Sequence, residues 1–233
     1  GFCIAAAYFL KEHLSVLIPR HGHKIGIVIA AVAILGFGVK TFVRVPVWKD
    51  ALSLNEAAVA ISSNSARANS FMATALFEKF KVTENLNEKK NLIDRTEKYA
   101  QKAIDILPDY VNGNIMMLGV VSERYKFDKD INKYIAGMRP IILRRPDINF
   151  IKEFSNYLKG SHNEELFPFY LEVGQELMKF NDMRRNYSVD FLKYAYEIQP
   201  SNRQVNMALG QAYEITGNAA EAAKFKAAAN ILQ

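Results

Sequence analysis

The side chains able to do chemistry are few and poorly grouped. Of the four histidines, His13, His21 and His23 fall near the start of the chain and only His162 lies beyond. His21 and His23 stand two apart in Arg20-His21-Gly22-His23-Lys24, which offers a metal two imidazoles but no adjoining Cys, Asp or Glu to complete its shell. They read as a polar loop at a membrane surface. The single cysteine, Cys3, sits in an apolar stretch, where a thiol behaves as a small hydrophobe rather than a nucleophile. Asp128 with Asp130, and Glu164 with Glu165, have the pairing of a general acid and base, but they flank predicted helix starts, where carboxylates serve as caps. Gly36-Phe37-Gly38 lacks the later Gly, Lys and Ser/Thr of a phosphate loop and suits close packing of an apolar helix. No catalytic residue, cofactor site or metal ligand is assigned.

The elements that would have to position any site divide the chain in two. It has 233 residues, 50% hydrophobic and 23% charged, with a net charge of +6. A disordered, collagen-like or disulfide-built chain is excluded by ample apolar content, modest Gly and Pro, and one Cys. Residues 1–49 hold Lys11, Arg20, Lys24, Lys40, Arg44 and Lys49 against only Glu12, so the basicity is concentrated there. The remainder is close to neutral and lacks the basic field that nucleic acid would need. In the first section, 25–39 (IGIVIAAVAILGFGV) is unbroken and apolar, and Thr41, Phe42 and Val43 extend it if Lys40 snorkels. A transmembrane helix is predicted over 25–43, contacting the lipid bilayer. Ahead of it come a partial helix over 1–18, expected to be the tail of a longer one, and a link over 19–24. An exit segment covers 44–49.

From 50 to 233 the apolar spacing is helical throughout, with breakers near Ser62-Ser63-Asn64, Pro108-Asp109, Pro146-Asp147, Gly160-Ser161, Asn181-Asp182, Pro200-Ser201 and Gly217-Asn218. Leu209-Gly210 with Tyr213, then Ala222 and Ala229, places small and large residues as in a tetratricopeptide repeat, where two antiparallel helices cross closely. Val173-Gly174, Leu118-Gly119 and Met72-Ala73 mark three more first helices. An insertion over 82–90, an interruption at Pro140 and a stretch from Phe150 to Lys159 that fits no unit break the pattern. The predicted fold is all-α: one complete and one truncated transmembrane helix, then a tetratricopeptide-like α-solenoid. The inner wall of such an array is built by first helices, so Arg67, Ser70, Thr74, Phe77, Met207, Gln211 and Glu214 are candidates for a groove that takes a peptide or protein partner.

Thr41-Phe42-Val43-Arg44, then Trp48-Lys49-Asp50, Leu54 and Asn64-Ser65-Ala66-Arg67-Ala68-Asn69, resembles the junction between the last span and the repeats in the transmembrane and tetratricopeptide-repeat protein O-mannosyltransferase family and its bacterial relatives. Gly1-Phe2-Cys3 is similar to the start of a preceding span in that family. The resemblance covers the first 77 residues best, with Val45 where the family commonly has Asn. It implies a glycosyltransferase of the C superfamily that moves a sugar from a polyprenyl-phosphate carrier to protein Ser or Thr. It also implies an integral protein of the bacterial inner membrane, with periplasmic repeats that bind an acceptor. The family's acidic catalytic motif belongs to an early loop outside this chain, so no residue here inherits a catalytic role. A non-catalytic membrane-anchored repeat scaffold for protein assembly accounts for the same residues.

Overall fold

A computed structural model of the chain describes residues 4, 5, 8, 9, 12, 13 and 22–232, in two compact units that divide after Ala57. In the first unit, helix α1 (Gly22–Arg44) runs into a short 3₁₀ turn, Val45–Trp48, whose Pro46 supplies a fixed φ where the first amide has no helical partner. Together, Lys24–Trp48 is long and apolar enough to cross a membrane, and none of its most apolar stretch is buried. Side chains at Gly26, Gly36 or Gly38 would meet nothing within 4 Å, so these glycines are not pressed against another helix among the described residues. Asp50 then opens α2 (Ala51–Ile61) by accepting the amide of Ser53 at 2.8 Å. That bond holds the Asp50 carboxyl below its ordinary pKa. Gly1-Phe2-Cys3, His21 and most of the expected partial helix and link lie outside the described residues.

The second unit is an array of helices built as the breakers dictate. They are α3 (Ala66–Val82), α4 (Leu86–Ile106), α5 (Val111–Asp128), α6 (Ile131–Arg144), α7 (Asn149–Tyr157), α8 (Asn163–Met178), α9 (Ser188–Ile198), α10 (Arg203–Ile215) and α11 (Ala219–Ile231). Ser65, Asn85, Asp130, Asn202 and Asn218 each accept an amide of the first turn they precede, satisfying groups that would otherwise be orphaned. Asp130 thus caps α6, as its place in the sequence predicts. The hairpins α3–α4, α8–α9 and α10–α11 pack tightly and antiparallel, and they share one core with α5, α6 and α7.

Of the predicted irregularities, one is absorbed into a helix and one is corrected. The insertion over 82–90 takes the form of added turns of α4 rather than a loop, with only 83–85 separating α3 from α4. Pro140 does not interrupt α6, which is helical through Arg144. Pro140 lies on the exposed side, where the carbonyl it fails to bond is open to water while Ile141 and Ile142 stay buried beside it.

The third irregularity is real and has a larger effect. Phe150 to Lys159 contains α7, whose Ile151 and Phe154, with Leu158 just past it, are buried at helical spacing. This extra helix packs on α5 and inverts the array. Contacts between α4 and α5 climb in one helix as they fall in the other, Gly113 meeting Ala103 and Arg124 meeting Asp94 and Glu97, as antiparallel neighbours must. Between α6 and α8 they climb together. Arg139 donates to Glu172 and Glu176 at 2.7 Å each, and Leu143 O accepts from Arg184, just beyond α8. Helix α8 therefore runs parallel to α6, where an uninterrupted repeat would set it antiparallel.

Candidate functional site

The residues proposed from sequence for a groove lie on two helices far apart in the array. On α3, Arg67 is exposed with its guanidinium 5.3 Å from the Phe71 ring centroid, and Thr74 is half-buried, donating to Ser70 O at 3.0 Å. Ser70 is 0% exposed and its hydroxyl donates to Arg67 O, so it lines no open surface. Phe77 is half-buried and wedged toward α5, where a side chain on Gly119 would meet it at 2.9 Å. On α10, Met207 and Gln211 are exposed and Glu214 pairs with Lys226 of α11 at 2.7 Å. After the inversion at α7, α10 runs opposite to α3. The two sets are not brought together on like helices.

A different groove does form, where α7 leaves space beside α9. Both helices start at the Pro146 end and run side by side over a floor contributed by α8. Three adjoining clefts follow this seam. One of 210 Å³ is lined by Ile148, Asn149 and Lys152 on one side and Asp190, Phe191 and Tyr194 on the other. Tyr194 is shared with a second cleft of 180 Å³ that reaches Asn156, Lys159 and Glu197 over Leu166 and Tyr170. Pro146, Asp147 and Tyr187 are shared with a third of 440 Å³, lined further by Asp109, Arg144, Arg145, Asp182, Met183 and Arg184. The seam so defined has an aromatic middle and charged ends.

Electrostatics differ along its length. Burial pushes the Tyr170 hydroxyl up to about 12 and raises Tyr194 less, so both are neutral hydrogen-bonding groups on an apolar wall. At the far end Lys159 pairs with Glu197 at 2.8 Å across the seam. In the core, outside the lining of the three clefts, Tyr125 Oη lies 2.8 Å from His162 Nε2 and the Tyr134 ring is stacked on Phe154. At the near end Arg145 pairs with Asp147 and also donates to Asp109 O, while Arg184 pairs with Asp182 and covers the Phe180 ring at 3.7 Å. The Arg145 side-chain bonds hold the Asp147 carboxyl below the ordinary range. Arg144 is half-buried; its Nε donates to Asn114 Oδ1 at 3.3 Å, and burial lowers its pKa from the ordinary guanidinium value.

Sequence reasoning missed this seam because it passed over 150–159 as fitting no unit, although the spacing of Ile151, Phe154 and Leu158 was a helical signal. It also missed a repeated device that fixes the turns. Asn69, Asn114 and Asn206 are buried, and each Nδ2 donates to two carbonyls of the turn ahead of it: Ser63 and Ser65, Pro108 and Tyr110, Pro200 and Asn202. Among the described residues no group of three or more His, Cys, Asp or Glu side chains is arranged to hold a metal ion.

No family model matches the chain, and no curated protein matches it. Among solved structures it is similar to a chain described as MamA MSR-1 C2, 18% identical, covering 74% of this chain and 91% of that one, with a TM-score of 0.28.

Proposed function

We propose that this is a membrane-anchored helical-repeat protein whose seam between α7 and α9 holds an extended segment of a partner protein. One observation carries the reading: three adjoining clefts share Tyr187 and Tyr194, giving a continuous channel with an aromatic middle and charged ends. Partially buried tyrosines anchor a backbone at small entropic cost, and flanking charges set its register.

Two experiments test this. A photoreactive amino acid placed at Asn156, which is exposed in the seam, is expected to give a discrete protein adduct in cells, whereas the same group at Lys224 on α11 gives none. Tyr194→Ala is expected to lower the adduct yield about tenfold or more, with helical content retained. Equal adducts at both positions would exclude the seam as the site. For the anchor, deletion of 1–49, which removes both apolar stretches, is expected to move the chain from the membrane pellet to the soluble fraction, since no apolar span then needs lipid.

The exit from the span supports a finer reading. Thr41, Arg44 and Trp48 are the residues by which the chain resembles the O-mannosyltransferase family. On that reading the chain is the terminal part of a polyprenyl-phosphate-sugar-dependent protein O-glycosyltransferase, its repeats are periplasmic, and the bound segment is the acceptor. Loss of acceptor glycosylation in the Tyr194→Ala variant of the full-length protein would support it. Unchanged glycosylation with lost binding would leave the scaffold reading.

A further inference from the structure

Among the described residues, the near end of the seam holds one arginine that makes no ion pair. Three guanidiniums converge on the 440 Å³ cleft, from Arg144 and Arg145 at the end of α6 and from Arg184 in the α8–α9 connection. Two are neutralised by a carboxylate two residues away in sequence, Arg145 by Asp147 and Arg184 by Asp182. Arg144 has no ion pair among the described residues. Its one hydrogen bond among the described residues runs to the neutral amide of Asn114, which is 0% exposed and is itself held by Pro108 O and Tyr110 O. The remaining carboxylate of the lining, Asp109, and Asp105 of α4 behind it are both exposed and act on Arg144 only from beyond ion-pair distance.

A half-buried guanidinium in this position has lost hydration that no anion within ion-pair distance replaces, and it keeps donors to offer. Its orientation is set by a buried side chain that cannot move without breaking the α4–α5 turn. The cleft beside it is large enough for a whole side chain. Met183, 75% exposed, and Tyr187 supply an apolar wall against which the methylenes of that side chain would lie. The cleft continues into the seam through Asp147 and Tyr187, so a segment bound along α7 and α9 passes Arg144 on its way.

We propose that Arg144 receives the carboxylate of an Asp or Glu side chain in the bound partner, making the segment acidic at one fixed position. This rests on the seam being a peptide site, and it adds the chemistry of the occupant. A guanidinium binds carboxylate by two parallel donors, which fixes direction as well as charge.

The test uses the full chain in lipid nanodiscs, panned against random heptapeptides displayed at the N-terminus of a phage coat protein, so that no peptide has a free C-terminus. Enriched peptides are expected to carry Asp or Glu at one position. Arg144→Gln is expected to remove that preference and to weaken synthetic, amidated copies of the selected peptides about 10–100-fold. Arg144→Lys keeps the charge but loses the fork and falls between. Because Arg144→Gln also disturbs Asn114, Met183→Glu is the second variant: it places a carboxylate at an exposed edge of the cleft and is expected to weaken the same peptides without loss of fold. Peptides that respond to Tyr194→Ala but show no acidic position would overturn this assignment and leave the seam intact. Synthetic peptides that bind only with a free C-terminus would overturn it in favour of a terminal carboxylate. Failure to enrich any peptide, or enrichment indifferent to Tyr194→Ala, would overturn both.

Discussion

Gly174→Ala is expected to lower the unfolding free energy by about 2–3 kcal/mol, the cost of forcing a methyl into a filled core. The added Cβ would lie 2.5 Å from Leu192 Cγ and 3.2 Å from Ser188 O. Neither neighbour can yield, because Leu192 is completely buried and the other atom is backbone. The same substitution at Gly210 meets Lys226 Cγ at 2.7 Å, and at Gly119 it meets Phe77 Cζ at 2.9 Å. The nearest atom at each belongs to a side chain that is not fully buried, although Lys226 N at 3.3 Å and Ala222 O at 3.4 Å stand behind the one at Gly210, so smaller costs of about 1–2 kcal/mol are expected. Urea unfolding of the three variants, followed by circular dichroism, checks the order. Equal costs at all three would show that α8 and α9 can slide apart and that the crossing is not rigid.

Asn114→Ala is expected to cost about 3 kcal/mol by the same measurement, since it strips donors from two carbonyls and an acceptor from a half-buried guanidinium. Asn206→Ala, which disturbs only the carbonyls of Pro200 and Asn202, is expected to cost about 2 kcal/mol. Asn114→Asp preserves shape but replaces the donating amide by an anion facing Pro108 O and Tyr110 O. It is expected to be at least as damaging as alanine despite the nearby Arg144. An aspartate variant as stable as wild type would mean that the turn is held by something other than the amide.

The residues explain how much of this was legible beforehand. At the last unit the small-residue rule works: a side chain on Gly210 would run into Lys226 and Ala222 of α11, and Gly174 stands in the same relation to α9. In α5 the same rule misleads by one residue. Counted from the turn, Asn114 follows Pro108 as Asn206 follows Pro200, which makes Leu118 rather than Gly119 the counterpart of Gly210. Gly119 therefore faces Phe77 of α3, and the close approach of α5 to α6 is provided from the other side, by Gly137 against Val121. The recurrence of Asn six residues after a turn proline was visible in the sequence and would have set the register correctly. The groove candidates failed at Ser70 because position along a helix does not reveal which face a neighbour covers. The seam was missed for another reason: it depends on the direction in which α8 is laid down, and that direction comes out reversed unless Ile151, Phe154 and Leu158 are read as one more helix.

That direction also decides where the two ends of the array emerge. With α7 present, the run from α3 to α11 contains an odd number of helices, so the backbone enters beside the Pro108 and Pro146 turns and leaves α11 at the opposite side. A fluorescent protein or affinity handle joined after residue 232 would stand about one helix length, roughly 20 Å, from the entry side. It would sit clear of the arginine cleft, and distance measurements between probes at Asp109 and the C-terminal handle would report whether the number of helices is odd or even.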